Sequence, residues 1–413
     1  MAVVQSPTQT QTTTNDPIRV QVVARAYWPV ADESTQRLMA TLDAWKTIGV
    51  QPSVLTTRWN HAWPDQITLR CVRVERILPA PTSSWNESHL QKNITKWLIK
   101  NNDSFDAVYV DAADTLLSAI VSKSASIGKP ILCRFNPNPC RLPKPRSFGT
   151  YLPSSVSIRD ALRKCHAIIT EHRRGQEALL DLGCSKEQSI WIPDAVFEPA
   201  RRSEADRKMA CQALFDVSGD LALPAKTHLV VHFGETTMSQ VQVVLESICD
   251  LLDRGIPIRM WIINPGPDTS KIYEWLKLQG WHHEILIFDG FDVLDDLIGL
   301  ADLVIASNPA CSLQHSTRLA IESQVSLIAA FDPTIAGWMP ETPLMKWYHS
   351  RESLGTQLSD WLAHRSQWEA EAMALRRHYQ VNHPNQQWLD RWISIFKAAV
   401  SQSPSLSSET RFT

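Results

Sequence analysis

The 413-residue chain is longer than one hydrophobic core sustains, and with 44% hydrophobic and 20% charged residues it reads as a globular protein expected to divide in two. Its formal net charge of −2 gives no electrostatic drive toward nucleic acid or anionic lipid, so a nucleic-acid partner is not expected. The eight cysteines form no CxxC pair and no His/Cys cluster at zinc-ligand spacing, so no disulfide framework, metal site or cofactor is expected.

In chain order, residues 1–17 are rich in Thr, Gln and Ser and lack an apolar signal-peptide core, which predicts a disordered tail. No run approaches the ~18 apolar residues of a membrane span, so no integral membrane segment is expected and the chain reads as cytoplasmic. On that reading the Asn-x-Ser/Thr triplets at Asn86, Asn93 and Asn102 are chance.

Strand-like runs Val20–Ala24, Val50–Thr56, Ala107–Val110, Pro130–Arg134 and Ala167–Thr170 are interleaved with helical segments Ser34–Thr47, Ala113–Ser124 and Arg173–Leu182. A second series places strands at His228–Phe233, Ile258–Ile263, Ile285–Phe288, Leu303–Ala306 and Leu327–Ala330, and helices at Ser239–Asp253, Ile272–Gln279 and Val293–Leu300. Alternating β and α elements predict an α/β protein of two Rossmann-like, doubly wound parallel-sheet domains. The expected layout is a first domain over 18–198, a linker over 199–224 and a second domain over 225–380. A helix over 381–400 is expected to pack back toward the first domain, with a disordered tail over 401–413. Trp361, Trp368, Trp388 and Trp392 in the helical tail are spaced for burial. Such a pair of doubly wound units directs attention to the cleft at the carboxyl ends of the strands.

Two segments carry a resemblance to a known family. The first is CHAIITEH at 165–172, with a helix closed by Gly183 and then IWIPDAV at 190–196; the second is the ungapped stretch Ile285–Ala306. In this order they resemble the family 4 glycosyltransferases of GT-B fold, over about residues 18–400. The resemblance implies transfer of a sugar, with retention, from a nucleotide-sugar donor to a glycan or lipid-linked acceptor.

The residues depart from that family's pattern in several places. Continuing the second segment without gaps sets the family's E-x7-E pair on Cys311 and Leu319; a shift of about one helical turn sets it on Gln314 and Glu322. The competing reading pairs Glu322 with Arg318, four positions earlier on one helix face. The loop after the first strand of the second domain, which includes Gly234 and Thr236, has no Arg or Lys where the family neutralises its donor diphosphate. The segment Trp28–Glu33 lacks the family's glycine pair.

A replacement anion site is read at a helix N-terminus capped by Ser312 and carrying Gln314, His315, Ser316 and Arg318. His315 is equally readable as a surface helix residue. Asp111 and Asn136 are the candidate catalytic or acceptor-side residues, with a loop or capping role as the alternative for Asp111 and Asp114. Two functions stay open at this point, an active glycosyltransferase and a non-catalytic GT-B module binding a glycan, nucleotide or protein partner.

Overall fold

The computed structural model describes residues 16–30, 32–136, 157–197, 204–224, 226–234, 236–263, 266–288, 297–309 and 313–401. They form two sheets.

The first sheet has strands β1 (Ile18–Val23), β2 (Val50–Thr57), β3 (Gln66–Leu69), β4 (Val72–Ile77), β5 (Ala107–Val110), β6 (Ile131–Arg134), β7 (Ala167–Thr170) and β8 (Ser189–Trp191) in the order β3-β4-β2-β1-β5-β6-β7-β8. Only the β3–β4 pair is antiparallel. The helices of this half are α1 (Glu33–Thr47), α2 (Ser84–Lys100), α3 (Thr115–Val121), α4 (Ser124–Ile127), α5 (Ile158–Arg163) and α6 (Arg173–Asp181).

After α7 (Glu204–Val217) comes the second sheet, with β9 (His228–Phe233), β10 (Ile258–Ile263), β11 (Ile285–Phe288), β12 (Leu303–Ala306), β13 (Ser326–Ala330) and β14 (Lys346–Tyr348) in the order β11-β10-β9-β12-β13-β14, all parallel. Its helices are α8 (Met238–Asp253), α9 (Thr269–Gln279) and α10 (His315–Glu322), and the chain closes with α11 (Arg351–Ala363), α12 (Arg365–Asn382) and α13 (Asn385–Ser401). No helix among the described residues is long and apolar enough to cross a membrane.

Burial on both faces explains why the central strands are continuous apolar runs. In β5, Ala107 and Tyr109 join the core beneath α1 and α13, while Val108 and Val110 join the core beneath α2 and α3. On α1, Leu38, Leu42 and Trp45 fall on one face, and all are buried against β1 and β5. The C-terminal helix α13 packs on the first sheet although it follows the second: Trp392 and Phe396 meet Trp45 with ring centroids 4.7 and 4.9 Å apart. Trp361 and Trp368 are buried in the second half, so these two are packing residues.

The chain leaves β1 toward one side of its sheet and reaches β5 on the other, and does the same at β9 and β12. These are the two topological switch points, where such sheets leave a crevice at the strand carboxyl ends. Glu33 and Asp111 follow β1 and β5, whereas Gly234 and Ser307 follow β9 and β12.

Candidate active site

In the first half, charged residues sit directly at the ends of apolar strands. Asp111 follows β5, Arg134 ends β6, Glu171 follows β7, and Asp194 lies just beyond β8. Parallel strand alignment brings these carboxyl ends to one edge, and α1 adds Arg37 from above. Glu171 is the hub: its Oε1 accepts from Arg37 and, at 3.0 Å, from Arg134 Nε. Arg134 Nη1 also reaches Asp111 Oδ1 at 3.4 Å. The Arg37, Arg134, Glu171 and Asp111 side chains are all nearly closed to solvent.

The network governs protonation. Burial pushes the Asp111 carboxyl up to about 8, opposed by Arg37 and reinforced by Glu171 and Asp32. Burial raises Asp194 as well, and the Glu171 charge adds to it. Burial opposes the charge on Arg37, but Glu171 and Asp194 more than restore it, and its pKa is raised.

The opposite wall is α10, every residue of which is buried. Gln314 holds its N-cap position with no side-chain cap, so the expected cap Ser312, which lies outside the described residues, is not next to the first helical residue. The first-turn donors look across the cleft instead: Ser316 N–H donates to Glu33 Oε1 at 3.1 Å, and just before the helix Leu313 N–H donates to Asp194 Oδ2 at 3.1 Å. At the other end Gln324 takes a left-handed φ of 58°, and Val325 N–H closes on Ala320 O.

His315 is buried rather than on the surface. Burial, Arg318 and Arg37 hold it well below the usual imidazole range, so it is neutral, and its Nδ1 lies 2.9 Å from Arg318 Nη2. The expected Arg318–Glu322 pair forms, at 3.4 Å, but inside the protein: Glu322 Oε1 also accepts from Phe197 N–H at 2.7 Å, and Arg318 lies 5.4 Å from the Phe197 ring centre.

Gly234 takes a φ of 108°, open to glycine at little cost, and a Cβ there would lie 3.8 Å from Glu33 Oε2. Thr236 belongs to a buried neutral group: His232 Nε2 and Ser307 Oγ are 2.5 Å apart, and Ser307 Oγ is 3.3 Å from Thr236 Oγ1. Burial lowers His232 to about 4. Gln314 Nε2 donates to the carbonyl of Asn308, the residue after Ser307, at 3.2 Å.

Of the expected donor-side residues, Arg318 lines the same cavity as Asp111, Gly234 and Ser316 border Glu33, and Glu322 is engaged by Arg318 and the Phe197 backbone. Asp111 is held by Arg134 and caps nothing, whereas Asp114 is the α3 N-cap, accepting from Leu116 N–H at 2.8 Å. Asn136 is exposed beyond β6. Five residues carry the site's charge without having been singled out from sequence: Glu33, Arg37, Arg134, Glu171 and Asp194. For three of them, Arg134, Glu171 and Asp194, the signal was available, since a charged residue at or just past the end of an apolar parallel strand stands at the ligand-facing edge of the sheet. No group of three or more His, Cys, Asp or Glu residues suited to a metal occurs among the described residues.

No family model and no curated protein matches the sequence. Solved structures do. A glycosyltransferase from Rickettsia africae aligns over 94% of this chain and 100% of its own, with TM-score 0.63 and 12% identity. Anabaena HepE in complex with UDP-glucose aligns over 92% of this chain and 100% of its own, with TM-score 0.65 and 11% identity. WaaG, a glycosyltransferase involved in lipopolysaccharide biosynthesis, aligns over 91% and 99%, with TM-score 0.63 and 13% identity. The fold is that of the GT-B glycosyltransferases. At these identities the likeness establishes architecture alone.

Proposed function

We propose that this chain transfers a glycosyl unit from a nucleotide-sugar donor to a glycan or lipid-linked acceptor, with retention of configuration, in the manner of the family 4 enzymes its two sequence segments resemble. The observation that carries the reading is the α10 N-terminus, whose backbone donor at Ser316 faces the cleft between the switch points with Arg318 one turn behind. Such a helix end offers directed N–H groups and about half a positive charge, which suits a diphosphate.

On this reading Gly234, Thr236, Ser312, Gln314, His315, Ser316, Arg318 and Glu322 form the donor side, and Asp111 and Asn136 the acceptor side. The β9 loop supplies no cation, so Arg318 and the helix end stabilise the charge that builds on the leaving diphosphate. One well-placed donor of this type is worth about 2.7–4 kcal/mol at the transition state. His315, being neutral, adds hydrogen bonding rather than charge. The complex of Anabaena HepE with UDP-glucose supports a UDP-sugar as the first donor to try.

The test is incubation of the full chain with UDP-, GDP- and ADP-sugars and a panel of glycans, reading nucleoside diphosphate release and the anomeric configuration of product by NMR. Transfer with retained configuration supports the proposal. Binding of nucleotide without turnover on any acceptor would favour the non-catalytic module, and an inverted product would remove the family 4 mechanism.

A further inference from the structure

Glu33 belongs to the first half of the molecule, yet its carboxylate rests on the first turn of α10 in the second half. Its Oε1 accepts from Ser316 N–H at 3.1 Å, and the backbone of His315 also supports the charge. Its Oε2 is shut off from solvent, has no partner among the described residues, and borders the backbone of Gly234. The Ser316 hydroxyl beside it is buried, at 1% exposure, and likewise has no partner among the described residues. Directed N–H groups, an unfilled hydroxyl and a helix dipole are arranged for an oxyanion, and the oxyanion present is the protein's own.

Asp194, also from the first half, repeats the arrangement at Leu313 N–H. Neither carboxylate is comfortable there. Burial pushes Glu33 up to about 7 against the help of Ser316, His315, Arg37 and Arg318, so return to water would relieve it. A phosphate and the Glu33 carboxylate cannot share the Ser316 donor, because two like charges would lie in contact.

We infer that Glu33 is an internal stand-in for the donor's phosphate, bridging the two halves while the site holds no donor and displaced when a diphosphate binds. The inference rests on the donor site proposed above. It makes nucleotide binding a competition between an outside anion and a tethered one, so removing the tethered charge strengthens the outside anion's hold.

Calorimetry at pH 8, where a carboxyl raised to about 7 is ionised, with inorganic pyrophosphate, UDP, GDP and ADP on the full chain and on Glu33→Gln and Glu33→Ala tests this, with melting curves to confirm that both variants fold. Glu33→Gln keeps the size of the side chain and guards against an Ala variant that is merely loosened. The expected result is pyrophosphate binding tighter by about tenfold in both, the gain when a competent state populated about one part in ten becomes the only state. Affinity equal to or weaker than that of the parent chain in a folded Glu33→Gln overturns the inference, as does a variant that binds unchanged but loses turnover, which would make Glu33 a catalytic residue. The two readings separate cleanly. Tighter pyrophosphate binding with no sugar transfer leaves the stand-in and removes the enzyme, whereas transfer by the parent chain with no tightening in the variants does the reverse.

Discussion

Replacing Glu171 removes the partner of two buried guanidinium groups at once. Arg37 and Arg134 both donate to its Oε1, and their side chains are only 9% and 11% exposed. Breaking a buried ion pair from one side leaves an uncompensated charge and costs about 3–5 kcal/mol. For a unfolding unit of 150–250 residues that is a fall in melting temperature of roughly 6–20 °C, at about 2–4 °C per kcal/mol. Glu171→Ala is therefore expected to melt far below the parent chain in scanning calorimetry, and Glu171→Gln, which keeps an acceptor but loses the charge, in between. Asp65→Asn is the control: Asp65 also pairs with an arginine, Arg58, but is 71% exposed, and such pairs contribute about 0–1 kcal/mol. Equal melting temperatures for Glu171→Ala and Asp65→Asn would refute the reasoning that the Glu171 network is closed to solvent.

Other consequences are equally direct. Arg318→Ala should weaken nucleoside diphosphate binding by about 1–3 kcal/mol, the range of a charge-assisted contact, and flatten its salt dependence; tight binding unaffected by the change in calorimetry would displace the anion site from α10. Asp111 and Glu33 have carboxyls raised to about 8 and about 7, so the folded chain keeps protons that the unfolded chain has released. Stability should accordingly decline as pH rises from the ordinary carboxylate range through about 8 and level off above it, and Asp111→Asn should flatten that decline in melting curves taken from pH 5 to 9. Trp392→Ala should cost about 3–5 kcal/mol by denaturant unfolding, because Trp392 packs on Trp45, Tyr109 and Phe396 and its loss opens a cavity under α13.

The central strands were legible in the sequence because both faces are buried: Ala107–Val110, Ala167–Thr170, His228–Phe233, Ile258–Ile263 and Leu303–Ala306 keep the bounds their apolar runs suggest. The β3–β4 hairpin was not. The side chains of β3 alternate between half-buried and exposed, and the turn uses Arg70 and Cys71 at φ 47° and 63° in place of the glycine that would announce it. Helix α2 was missed because it spreads only four buried residues over seventeen, beginning six positions inside. In the second half, α10 starts at His315, later than the Ser312 cap suggested, because its first-turn donors are satisfied across the cleft by Glu33 rather than by a local cap. That is also why the site was half legible. Local motifs pointed to Ser316, Arg318 and Glu322, while Glu33, Arg37, Arg134, Glu171 and Asp194 acquire meaning only when the strand ends of one half meet the helix of the other.

The central claim is that the cleft between the two sheets receives a nucleotide sugar at the α10 N-terminus. The most direct measurement is calorimetric titration of the full chain with UDP-glucose, at low and at moderate salt, on the parent chain and on Arg318→Ala. The account predicts binding that weakens as salt screens the charge and weakens further when Arg318 is removed. No heat and no rise in melting temperature with UDP-, GDP- or ADP-sugars at millimolar concentration would contradict it.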